Sequence, residues 1–275
     1  MLPIITKKEA DLVLNQGDGL VHISLDLGLS VQEVMLKDGF VSIQNQKIPL
    51  VEFEHVKEEA CYVADENILK IVAYFSEETN FYYKLIPTND WPTITLSSTP
   101  MHRHIHISPK KSAKLMITKV TPLNGNVLDT CCGLGYTAIL AAKHAEKVYT
   151  FERDKYVINL ASYNPYSQEL FSNKKIELIE NDVVSGIMRF KNNFFSRIIH
   201  DPPTFKYSPD LYSEEFYKAM FRVLRKGGKL YHYAPCPQKT KNKVFYNRII
   251  RHLKACGFRN MRYDEISSGV SAEKF

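Results

Sequence analysis

The stretch that most constrains this chain is residues 126 to 135, Asn-Val-Leu-Asp-Thr-Cys-Cys-Gly-Leu-Gly. Val127 and Leu128 read as the end of a short buried strand, and Asp129 closes it. Gly133 and Gly135 then predict a tight turn into a helix that begins at Tyr136. Glycine serves where the backbone must bend sharply and come close to a ligand, because no Cβ stands in the way. A helix N-terminus beside such a turn offers N–H groups that no helical carbonyl takes up. Seventeen residues after Gly135, Lys147-Val-Tyr-Thr-Phe-Glu152 reads as a second strand ending in a carboxylate. An acid in that position can accept both hydroxyls of a ribose.

From Asn126 onward the pattern alternates strand and helix, which points to a parallel sheet covered on both faces. Strands are expected near 126–130, 147–152, 175–179, 197–201 and 228–234. Helices are expected near 136–145, 154–163, 183–190, 213–225 and 240–255, and Phe258–Asp264 with Ser268–Lys274 read as a terminal antiparallel hairpin. Ser108 and Pro109 suit a helix start, as N-cap and first-turn proline, for a helix running to Val120.

From Leu20 to Leu96 the chain reads differently, as short apolar runs between turn residues. Val21–Leu27 alternates strictly, and further strands are expected at Glu33–Lys37, Phe40–Ile43, Lys47–Phe53, Cys61–Ala64, Ile68–Phe75, Phe81–Leu85 and Thr93–Ser97. The organisation expected is therefore α/β: a small acidic β-rich domain over 1–108 and a Rossmann-like domain over 109–275. Between them, His102, His104 and His106 would share one face of an extended strand. That spacing spreads the three rings over ~13 Å, which favours exposed or substrate-facing histidines over a metal site.

Charge divides with the domains. Residues 1–108 hold 8 Lys and Arg against 15 Asp and Glu, and residues 109–275 hold 28 against 15, so net charges of −7 and +13 make up the total of +6. Over 218–262 there are 13 basic residues and no acid, interleaved with Phe221, Tyr231, Tyr233, Phe245, Tyr246 and Phe258. A field of one sign with aromatic rings in it favours a polyanionic partner, RNA first. The five cysteines include no C-x-x-C pair, which argues against zinc, and an odd count suggests reduced thiols. No apolar run reaches membrane-span length and no signal pattern opens the chain, so a cytoplasmic location is expected.

The pattern Gly133-x-Gly135-x-x-Ala138 also fits a dinucleotide-binding turn, but Asp129 four residues before it, with Glu152 ending the next strand, resembles the first two motifs of class I S-adenosylmethionine-dependent methyltransferases. Five parallel strands followed by a hairpin is also that family's plan. The resemblance implies S-adenosylmethionine as cofactor. Gly133 and Gly135 would pass under its methionine part, and Glu152 would hold the ribose. Asp182, with Asn181 and the Val183 backbone, would meet the adenine amine, and Asp129, Thr130 and Arg153 would also bind the cofactor. Asp182 is equally a helix N-cap in form, and both roles can hold at once.

Arg197-Ile-Ile-His-Asp-Pro-Pro-Thr-Phe205 resembles the Asp-Pro-Pro-aromatic motif of methyltransferases that modify exocyclic amines of nucleobases. His200–Phe205 with Leu211–Phe216 also looks like a group of archaeal methyltransferases. The residue types suit the chemistry. A base amine is a poor nucleophile because its lone pair is delocalised into the ring. Asp201 and the Pro202 carbonyl, accepting its two hydrogens, would favour a pyramidal nitrogen. Consecutive prolines fix the loop and donate nothing, and an aromatic ring can stack on the flipped base. In this chain Thr204 follows the second proline, so Phe205 or Tyr207 is the stacking candidate.

The expected function is methylation of an exocyclic amine in RNA, cytosine N4 preferred, in ribosomal RNA or tRNA and without a metal. Cys236, just past the fifth strand, keeps open an RNA cytosine-C5 route through a thiolate. Aminopropyl transfer and methylation of a protein also stay open for this fold.

Overall fold

The computed structural model describes residues 2–235 and 243–275. The expected Cys236 nucleophile lies outside the described residues. The chain forms two compact units, Met1–Pro109 with Tyr156–Gln168, and Lys110–Lys155 with Glu169–Phe275.

The first unit is rich in antiparallel strands, arranged in one three-stranded and two four-stranded sheets. Asp38 and Gly39 both take positive φ, which suits the two-residue hairpin between Gln32–Lys37 and Phe40–Ile43. Two expected strands divide. Lys47–Phe53 becomes a strand over Gln46–Pro49 and a helix over Leu50–Glu54. Pro49 ends that ladder, and Phe53 turns fully into the core beside Val41, Ile43 and Ile48. Ile68–Phe75 becomes Ile68–Ile71 and Ala73–Ser76, which belong to different sheets. Met101–Ile107 forms no strand, so the expected shared face of His102, His104 and His106 does not form. His102 Nδ1 instead meets the Thr93 hydroxyl at 2.8 Å. Tyr156–Gln168 joins this unit through rings: Tyr156 stacks on Tyr83 at 5.4 Å and Tyr166 meets Trp91 at 5.7 Å.

The second unit is built on a seven-stranded sheet. Its strands are β1 (Asn126–Asp129), β2 (Lys147–Glu152), β3 (Ile176–Glu180), β4 (Phe195–His200), β5 (Leu224–Tyr233), β6 (Arg259–Asp264) and β7 (Gly269–Glu273). The spatial order is β3-β2-β1-β4-β5-β7-β6; the first five are parallel, and β7 is antiparallel to both neighbours. Every residue of β4 is buried, as a central strand covered on both faces requires. The α-helices from Pro109 onward are α1 (Pro109–Val120), α2 (Tyr136–Ala142), α3 (Lys155–Tyr163), α4 (Gln168–Ser172), α5 (Val183–Gly186), α6 (Glu214–Val223) and α7 (Lys243–Ala255).

Local chemistry sets several ends. Ser213 caps α6 by accepting the Phe216 N–H at 3.1 Å, and Glu214 and Glu215 in the first turn suit the positive end of the helix dipole. The helix expected over 213–225 stops at Val223, and β5 begins at Leu224 rather than 228, because Leu224 already pairs with Phe195. The helix expected over 183–190 is a single α turn followed by a 3₁₀ turn over Ile187–Arg189. Among the described residues, no helix is long and apolar enough to cross a membrane.

Candidate active site

Strand order reverses between β1 and β4, whose C-terminal ends face the loops that follow them. Ligands bind at such a switch point in open α/β sheets. The turn after β1 is pinned on both sides: Thr130 N–H donates to Ile199 O at 3.0 Å and Cys132 N–H to Phe151 O at 2.7 Å. Gly133 and Gly135 sit at φ +54° and +77°, and Gly135 opens α2. Leu170 Cδ2 stands 2.9 Å from where a Cβ on Gly135 would be, so the turn also needs glycine for packing.

Three carboxylates gather around this turn. Asp129 is fully buried and accepts the hydroxyls of Thr137 at 3.2 Å and Thr150 at 2.8 Å. It thus braces β1, β2 and α2 from beneath. Burial pushes its carboxyl up to about 7 against the pull of those two hydroxyls, and the charges of Asp201 and Glu152 add to the rise. Glu152 spans the turn, accepting the Gly133 N–H at 2.9 Å and the Asp154 N–H at 3.1 Å. Burial raises it to about 7 as well, opposed by those N–H groups. Repulsion of Asp129 by Asp201 and Glu152 marks a site that favours a positive charge.

Asp182 ends the loop after β3. One oxygen caps α5 by accepting the Val184 N–H at 2.7 Å, and the other faces Arg153 at 3.4 Å. Val183 is buried beneath it. Arg153 reaches further, donating to Ser208 Oγ at 3.1 Å and Tyr207 O at 3.4 Å. It therefore ties the ends of β2 and β3 to the loop that follows Asp201.

That loop leaves β4 through half-buried Asp201 and buried Pro202. The Tyr212 hydroxyl donates to Pro203 O at 2.8 Å and holds the segment down. Phe205 is 43% exposed, edge-on to Tyr212 at 5.6 Å, with the Arg248 guanidinium 5.7 Å from its ring. Tyr207 is also exposed.

Sequence reasoning missed the buried polar chain behind Asp201. His200 Nε2 faces Leu211 O at 3.0 Å and must donate to it, so its Nδ1 accepts the Thr130 hydroxyl at 2.7 Å. His232, edge-on at 4.5 Å, has the opposite tautomer. Its Nδ1–H donates to Tyr233 O at 2.7 Å, and its Nε2 accepts the Tyr217 hydroxyl at 2.8 Å. Burial holds His200 well below its ordinary range and His232 at about 4, so both rings are neutral. The signal was present as a histidine directly before the Asp-Pro-Pro run, but its partner Thr130 lies 70 residues away.

The basic run over 218–262 divides by use. Arg222 donates to Phe190 O and Ile187 O, Arg225 to Asn124 Oδ1, and Lys229 to Thr121 O, so these three hold loops of the unit together. Lys226, Arg248, Arg251, Lys254, Arg259 and Arg262 are exposed.

Residues 106–256 match the methyltransferase small domain family, and the chain belongs to it. It is 38% identical to an uncharacterized protein of Methanocaldococcus jannaschii, over 98% of this chain and 95% of that one. Three solved structures share the fold. Spermidine synthase from Thermotoga maritima is 20% identical with TM-score 0.58, covering 74% of this chain and 72% of its own. A spermidine synthase in complex with a transition-state analogue is 20% identical with TM-score 0.60, covering 74% and 73%. MnmC2 from Aquifex aeolicus is 15% identical with TM-score 0.50, covering 74% and 73%.

The chain is an S-adenosylmethionine-dependent methyltransferase. The donor set fits that cofactor: a carboxylate-rich turn suits a sulfonium cation, and acceptors at the ends of β2 and β3 suit ribose hydroxyls and an adenine amine.

Proposed function

We propose that this methyltransferase acts on an exocyclic base amine of RNA, cytosine N4 preferred, in ribosomal RNA or tRNA. The observation that carries the reading is the placement of Asp201. It leaves the C-terminal end of β4 beside the carboxylate turn, and rigid prolines follow it. Asp201 and the Pro202 carbonyl accept the two amine hydrogens, while the Pro203 carbonyl is already taken by Tyr212. The amine is thereby held with its lone pair directed, and orientation of this kind supplies much of the rate in a direct displacement. S-adenosylmethionine, when bound, would supply an electrophilic methyl group whose bonding pair stays on sulfur, and the nitrogen that receives it would release one of its two protons to Asp201. The Phe205 face stacks on the extruded base, and exposed cations at Arg248, Arg251, Lys254, Arg259 and Arg262 meet phosphates.

Aminopropyl transfer draws its support from the extent of the fold shared with the spermidine synthases. A polycationic acceptor would meet Arg248 and the exposed basic face of α7, which disfavours it.

The test is transfer of labelled methyl to RNA from cells lacking this gene, followed by nucleoside mass spectrometry. Label on an exocyclic nitrogen is expected, and Asp201→Ala should keep cofactor binding while losing ~100-fold or more in turnover. Unchanged turnover would sink the mechanism. Label on C5 would transfer the role to Cys236, and no label in RNA would send the search to proteins and polyamines.

A further inference from the structure

Beside the acceptor loop lies a cavity of about 230 Å³ lined by Phe205, Tyr212 and Tyr217 on one side and Phe245, Arg248, Ile249 and His252 of α7 on the other. Roughly 150 Å³ suffices for a benzene ring, so there is room for one flat ring system. The α7 residues recur at the spacing that lines one face of a helix.

The hydrogen-bonding groups of this cavity are largely spent elsewhere. The Tyr212 hydroxyl is given to Pro203 O and the Tyr217 hydroxyl to His232. What faces the cavity is aromatic and aliphatic surface, with Arg248 and His252 as its polar components. Such a lining holds a π-face without reading its edge. Around it α7 carries Arg248, Arg251 and Lys254 with no acid, so the occupant must tolerate or want positive charge. An apolar peptide satisfies the walls and gains nothing from the cations. A nucleotide satisfies both, its base in the cavity and its phosphate on Arg248. The Tyr212–Pro203 hydrogen bond joins this cavity to the loop that carries Asp201.

We infer that the cavity is a second nucleotide site, which takes an unpaired base flanking the target and holds it by stacking, without base selectivity. The inference rests on the RNA reading above and goes further in assigning α7 and the cavity to the neighbouring nucleotide.

The probes are a fluorescein-labelled decauridylate and the same decamer with abasic ribose at every position, with binding followed by anisotropy from low to moderate salt. Wild-type protein should prefer the base-bearing strand by about 5- to 150-fold, the range of one stacked base. Phe245→Leu should lower that preference several-fold, leaving only what Phe205 contributes at the target base, with abasic binding nearly unchanged. Arg248→Ala should weaken both strands and lower the salt slope by about one. Equal affinity of wild type for the two strands, or a preference that Phe245→Leu leaves unchanged, overturns the site. Methyl transfer to RNA by wild type, measured in parallel, separates the two failures. Label without base-dependent binding removes the cavity and leaves the reaction standing. Absence of label removes the RNA reading and this inference with it.

Discussion

Glu152 offers a sharp test of whether the turn after β1 holds the cofactor. Its carboxyl is raised from 4.5 to about 7, chiefly by burial. A raised carboxylate is protonated below that value, and a protonated oxygen is a poor acceptor for a ribose hydroxyl and no attraction for a cation. Cofactor affinity should therefore be level above about pH 8 and fall as pH drops through 7. With a midpoint near 7 in the free protein and an ionised group in the complex, the dissociation constant should rise about 30-fold between pH 8.5 and 5.5, or ~2 kcal/mol. The assay is isothermal titration of S-adenosylmethionine into wild type and Glu152→Gln at half-unit steps. Titrating groups of the cofactor itself cancel in the ratio of the two dissociation constants. Asp129 is raised into the same range, but chiefly by its own burial, and Glu152→Gln removes only the smallest contribution to that rise. A ratio that stays constant from pH 5.5 to 8.5 refutes the reasoning. The same shift bears on stability. The folded state binds this proton more tightly than the unfolded chain, so ionisation of Glu152 lowers stability as pH rises from about 4.5 to about 7, with no further change above. Glu152→Gln should flatten that segment of the thermal-stability profile.

Two further outcomes follow from the turn and the buried histidines. Gly135→Ala combines a φ of +77° with a contact of 2.9 Å to Leu170. Left-handed strain of ~1–2 kcal/mol and overpacking of ~1–3 kcal/mol should lower the midpoint in scanning calorimetry by about 5–15 °C. Adding Leu170→Ala should relieve the clash but not the strain, and a Gly135→Ala protein as stable as wild type would refute both terms. His200 and His232 should remain neutral from pH 5.5 to 8 in ¹⁵N NMR, with shifts reporting the proton on Nε2 of His200 and on Nδ1 of His232. A titration of either ring near 6.5 contradicts the burial and hydrogen bonding described.

What the sequence made legible was the backbone chemistry. Gly133, Gly135, Pro202 and Pro203 announce their positions because no other residue type bends or stiffens a chain as they do. The seven-stranded sheet followed from alternation of apolar runs with helical ones, since each strand's period is local. Lys47–Phe53 misled for the same reason: Pro49 can close a strand or open a helix, and the core that receives Phe53 decides between them. Charge counting misled in part, since Arg222, Arg225 and Lys229 are spent on carbonyl and amide oxygens of other loops. The bonds that organise the site were hidden because they join distant residues: Thr130 to His200, Arg153 to Asp182 and Ser208, Tyr212 to Pro203.

These long-range bonds have a common consequence. Thr130 belongs to the turn after β1, and His200 immediately precedes Asp201. Leu211, whose carbonyl takes the other His200 nitrogen, lies beside Tyr212, which holds the Pro203 carbonyl. Three loops that would otherwise move independently are thus fixed to one neutral imidazole. Leaving either partner unpaired in this dry interior would cost ~1–3 kcal/mol, which opposes independent drift of the turn and the acceptor loop. A displacement needs nucleophile and methyl group aligned to within a fraction of an ångström. On the proposed reading, that alignment depends on His200, the residue before the Asp-Pro-Pro run, as well as on the run itself.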